Sequence, residues 1–138
     1  MDKENVQQWL ERYVAAWRTY DPQAIGDLFT EDATYRFQPW TEPVAGRDAI
    51  VANWLEDPDE PDSWSARYEP YAVDGDRAVA VGWTSYFAED HRTIDRVFYN
   101  AWLLVFAADG RCKDFTEVYM EAPVEHSNNG KPQWQPVT

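Results

Sequence analysis

Glu117 interrupts the run "FTEVYM", whose β-branched and aromatic residues suit a pleated, half-buried surface. Side chains alternate along a strand, so Phe115, Glu117 and Tyr119 share one face while Thr116, Val118 and Met120 share the other. A carboxylate flanked by two rings is hydrated, paired with a partner, or chemically active. In the active case an apolar wall raises its pKa and makes it a general acid or base. In the structural case it is a carboxylate hydrogen-bonded to Asn100 or a nearby Tyr, or bridged to Arg96. Tyr13 is the candidate donor to a developing oxyanion; its alternative role is that of a core aromatic at helical spacing.

These residues need a strand pair to bring them together. A strand over about 93 to 107 precedes the turn at "ADG", and a two-residue or four-residue loop there pairs 102 with 115, 100 with 117, 98 with 119 and 96 with 121. Asn100 then sits beside Glu117, and Arg96 faces Glu121 as a partly exposed pair. A three-residue loop with a bulge would break that register. The face so formed carries Arg96, Phe98, Asn100 and Trp102.

Upstream, Val6, Leu10, Tyr13, Val14 and Trp17 recur at three- and four-residue spacing and predict an amphipathic helix over about 3 to 20. Asp21 and Pro22 restart a short helix carrying Ile25, Leu28 and Phe29. "ATYRF" reads as a strand, a brief one follows at Val44, and "RDAIVANWLED" is a third helix stopped at Asp57-Pro58. Strands at about 64 to 73 and 77 to 87 flank the tight-turn signal Asp74-Gly75. Three helices followed by a mostly antiparallel sheet is an α+β arrangement, one domain over residues 1–122. The tail, 123–138, is rich in Pro, Asn and Gln and is expected to be loosely held unless Trp134 docks.

Composition removes several function classes. Twenty-five acidic residues against 12 basic ones, a net charge of -13, repel phosphate backbones and anionic lipid, so neither nucleic acid nor membrane is expected as a partner. One cysteine, Cys112, and two separated histidines, His91 and His126, assemble no zinc site and no internal disulfide, which suits a cytoplasmic protein without a metal. No motif for cofactor phosphates is present, and no cofactor is expected. The 8 Trp, 8 Tyr and 6 Phe exceed what a small core needs, so some rings are expected to line a cavity for a small hydrophobic or aromatic ligand. Trp17, Phe37, Trp54, Phe98, Trp102, Phe115 and Tyr119 are the candidate wall, with Arg96 at its mouth.

The long first helix, "DPQAIGDLFTEDATY", "EPVAGRDAI" and the closing pair "WLLVFAADGR…FTEVYM" resemble the nuclear-transport-factor-2-like superfamily, in particular its polyketide-cyclase-like (SnoaL-like) and ketosteroid-isomerase-like members. The resemblance covers about residues 6 to 121. It implies a cone-shaped, curved sheet closed by the first helix around a ligand cavity, and a homodimer formed through the outer sheet face. Against the ketosteroid isomerase pattern, Tyr13 falls on the oxyanion-donating tyrosine, Phe37 on the general-base aspartate and Trp102 on the second, acidic donor. Polyketide cyclases of the superfamily carry a working acid on the closing strand, near the position of Glu117. The resemblance thus implies a cofactor-independent isomerase, cyclase or dehydratase in which Glu117, Tyr13 and Asn100 do the chemistry. Loss of the base at Phe37 and of the acid at Trp102 equally suits a ligand-binding protein without chemistry, or a module that dimerises through its outer sheet.

Overall fold

Asp2 opens the first helix, α1 (Lys3–Thr19), by accepting from the backbone amide of Asn5, whose side chain in turn accepts from the Asp2 amide. The helix stops at Tyr20, held in the left-handed region at φ 51°, with its N–H donating to the Ala16 carbonyl at 2.8 Å. Its buried stripe is Val6, Trp9, Leu10, Tyr13 and Ala16, the spacing expected from the sequence. Asp21 caps α2 (Pro22–Gly26) through the Gln23 amide, and α3 spans Arg47–Glu56. The structure, a computed structural model, describes residues 1–128 and 131–132.

The strands are β1 (Phe29–Arg36), β2 (Val44–Ala45), β3 (Trp64–Asp74), β4 (Arg77–Phe87), β5 (Ile94–Phe106) and β6 (Cys112–Ala122). They form one curved, unclosed sheet in the order β2-β1-β6-β5-β4-β3, antiparallel throughout except where β1 runs parallel to β6. The architecture is therefore α+β, with the helices packed on the concave face around Trp9, Phe29, Trp102, Phe106 and Phe115. β1 begins earlier than "ATYRF" suggests. Thr30, Glu31 and Asp32 are polar and hide its first half, and its register against β6 shifts between Phe29 and Thr34.

The register of β5 on β6 corrects the pairing expected from the sequence. Glu117 lies opposite Trp102, and Asn100 lies opposite Tyr119. Two local features cause the change. Ala107 and Arg111 close a three-residue loop, with Gly110 at φ 87°, which moves the register by one residue. Phe106 then pairs with Cys112 but Val105 with Asp114, so Lys113 is an extra residue on β6 that moves it by one more. Two odd shifts add to an even one, so Glu117 keeps its face and changes only its neighbour.

Gly82 positions a ring of the site. A Cβ there would stand 2.0 Å from the Arg67 carbonyl oxygen and 2.6 Å from a ring carbon of Tyr68, its cross-strand neighbour. The bare backbone lets the Tyr68 ring lie flat over β4 and stack on Trp102 at 3.8 Å and 17°. Since overpacking costs about 1–3 kcal/mol and here meets backbone, Gly82→Ala is expected to destabilise by about 3 kcal/mol or more, read as a lower urea midpoint.

Beyond β6 a short 3₁₀ turn (Val124–His126) lies against β5, and a two-stranded ribbon, β7 (Ser127–Asn128) with β8 (Lys131–Pro132), brings β8 against β4. Trp134 lies outside the described residues. On the outer sheet face Val97 is buried, whereas Leu103, Val118 and Met120 are 45%, 42% and 75% exposed. Cys112 is enclosed, its thiol pushed up to about 12 by burial, and is correspondingly inert.

Candidate active site

The concave face of the sheet and the ends of α1 and α3 enclose a cavity of about 740 Å³. Glu117 reaches it from β6. The indole Nε1 of Trp102 donates to its Oε2 at 2.7 Å. Burial raises the carboxyl pKa above the ordinary value, opposed by smaller effects of the Trp102 and Asn100 hydrogen bonds, which favour the charged form. Asn100 therefore still serves Glu117, from one position along the strand. Its Oδ1 is buried and has no hydrogen-bond partner, alone in this among the described residues.

Phenols surround the carboxylate. Tyr13 on α1 and Tyr35 on β1 share a hydrogen bond of 2.6 Å between their hydroxyl oxygens. Tyr68 on β3 shares one of 2.6 Å with the Thr84 hydroxyl on β4. All three phenol pKa values are driven well above the usual 10, mainly by burial; the Glu117 charge adds to the rise in each. They accordingly stay protonated, able to donate at any physiological pH. Phe115 is fully enclosed; its ring stacks on the Tyr35 ring at 4.2 Å and lies nearly parallel to the Tyr13 ring at 5.6 Å. It lies beneath the cavity floor, absent from the lining, and sets the positions of the two phenols.

The remaining wall is formed by Trp17, Phe37, Trp54, Phe98 and Tyr119, with Arg96 at the rim. Arg96 is engaged by Glu121 through two hydrogen bonds of 2.8 and 3.1 Å and covers the Phe98 ring at 4.9 Å. Both partners are about half exposed, so water screens the pair and it adds little to stability. At the mouth, Trp17 Nε1 donates to Asp59 at 2.9 Å, and the Asp59 amide donates to the Tyr20 hydroxyl at 2.9 Å. The left-handed end of α1 thus pins the loop after α3.

Sequence reasoning did not single out Tyr35, Tyr68, Thr84, Tyr86 or the acids of the mouth. Tyr35 was accessible by alternation, two residues from Phe37 on the same face. Tyr68 and Thr84 carried no such signal, because only the Gly82 approach turns Tyr68 toward Trp102. Among the described residues no group of His, Cys, Asp and Glu is arranged to hold a metal ion.

A family model described as a SnoaL-like domain matches residues 10–118. An NTF-2-like protein of unknown function from Burkholderia xenovorans LB400 is similar in structure, at a TM-score of 0.64 and 20% identity over 89% of this chain and 91% of that one. A ketosteroid isomerase-like protein from Erwinia carotovora atroseptica SCRI1043 follows at 0.61 and 14%, over 88% and 97%. No curated protein matches the chain.

Proposed function

The chain belongs to the SnoaL-like family of the nuclear-transport-factor-2-like superfamily, and on that footing we propose that it is a cofactor-independent proton-transfer enzyme, of isomerase, cyclase or dehydratase type, acting on a hydrophobic cyclic substrate. The observation that carries this reading is the Glu117 carboxylate, held by an indole N–H and ringed by protonated phenols inside an aromatic cavity. Such a carboxylate takes a proton from a carbon next to a carbonyl. The charge that develops on the carbonyl oxygen accepts a hydrogen bond from the Tyr13–Tyr35 pair, and Glu117 then returns the proton to carbon. The wall rings hold the substrate and exclude water.

The test is exchange of the activated methylene protons of β-tetralone in heavy water, followed by proton NMR. The reading expects exchange above the buffer rate that disappears in Glu117→Gln; exchange equal in the two proteins would overturn it.

We also propose a homodimer through the outer sheet face, supported by the exposed Leu103, Val118 and Met120. Val118→Asp is expected to convert the dimer to a monomer in light scattering, with the cavity unaffected because residue 118 points away from it. No helix among the described residues is long and apolar enough to cross a membrane.

A further inference from the structure

The cavity wall is unequally charged. Glu56, Asp57 and Asp59 stand at its mouth, Glu117 and Glu121 farther along β6, and among the described residues Arg96 is the only basic one lining it. Arg96 is already committed to Glu121. Among the described residues an anionic ligand would meet four uncompensated acids and no free cation, so carboxylates and phosphates are disfavoured. Most of the uncharged wall is aromatic, and ring faces attract cations through their quadrupoles.

A second observation specifies what the ligand must offer. Asn100 is nine-tenths buried, lines the cavity, and leaves its Oδ1 without a donor. Its amide nitrogen is the end turned to Glu117, since that contact favours the charged carboxylate. A buried acceptor left unpaired is costly, and a ligand that supplies an N–H or O–H there removes the cost. Hydroxyl and ammonium both have such a proton, and the charge of the wall selects the ammonium.

We propose that the ligand of this cavity is a protonated amine on an aromatic or cyclic skeleton, its N–H donating to Asn100 Oδ1, its charge facing the acidic mouth and its rings against the aromatic wall. The assignment rests on the reading of the cavity as a small-molecule site and adds the class of molecule. It is independent of whether Glu117 moves protons.

Tryptamine and tryptophol form a matched pair: the same indole and chain length, one ending in ammonium and the other in hydroxyl. Calorimetric titration is expected to show tryptamine binding about 10-fold or more tightly, the size of a desolvated cation–ring contact plus one charge-assisted hydrogen bond. The Asn100 side-chain amide signals should shift with tryptamine. The variant Glu56→Gln with Asp57→Asn, both exposed positions, should weaken tryptamine several-fold and leave tryptophol unchanged. Tryptophol binding as tightly as tryptamine would overturn the amine assignment and leave the small-molecule reading standing. If neither compound moved the Asn100 or Trp102 signals at millimolar concentration, both would fall.

Discussion

Glu117→Gln is expected to lower kcat by about 10²–10⁴ with the fold intact, the usual contribution of a positioned general base. The amide keeps the shape and still accepts from Trp102 Nε1, so the wall is not disturbed; only the ability to take a proton is lost. The pH dependence follows from the direction of the shift. The folded protein holds the Glu117 proton more tightly than the unfolded chain does, because burial disfavours the charge. The base form therefore appears only above the ordinary carboxylate range, and the acid limb of kcat/KM lies at correspondingly higher pH. Stability shows the same linkage. It falls as pH rises from the unfolded carboxylate value through the raised folded one, and Glu117→Gln abolishes that fall, leaving a variant at least as stable as the parent near neutrality. A variant that lost activity together with its near-ultraviolet circular dichroism would assign Glu117 to the core instead.

Tyr13→Phe is expected to reduce kcat by about 10²–10³, with little change in KM, as loss of one oxyanion donor does. Tyr13 and Tyr35 share one short hydrogen bond, so one hydroxyl proton is spent between them and the other is left for a ligand. Removing either partner breaks the unit. The two losses should therefore not add: Tyr13→Phe with Tyr35→Phe is expected to be little worse than the more damaging single change. Additive losses would mean that the phenols act separately. Both rings keep their stacking on Phe115 in these variants, which separates loss of a donor from loss of packing.

The fold was legible because its signals are local. The helical spacing of Val6, Leu10 and Tyr13, the Asp21-Pro22 start and the Asp74-Gly75 turn each specify an element without reference to the rest of the chain. The face of Glu117 was legible for the same reason, since alternation needs one strand only. Its neighbour was not. The pairing depends on a three-residue loop and on an extra residue at Lys113, and "AADGRCKD" fits more than one such arrangement. Trp102, read from the resemblance as a lost catalytic donor, proves to be the hydrogen-bond partner of the acid. Phe115, read as wall, lies under the floor. The mouth acids carry no local signal, because only the pinning of Asp59 by Trp17 and Tyr20 brings that loop to the cavity.

Carbon NMR reads the state of the Glu117 carboxyl group directly across a pH titration, with Glu117→Gln assigning the signal. A midpoint clearly above the ordinary glutamate value of 4.5 is the result expected of an acid enclosed by rings and phenols. A midpoint at or below that value would mean a carboxylate held permanently charged by Trp102 and Asn100, and would contradict its role as the proton-transferring group.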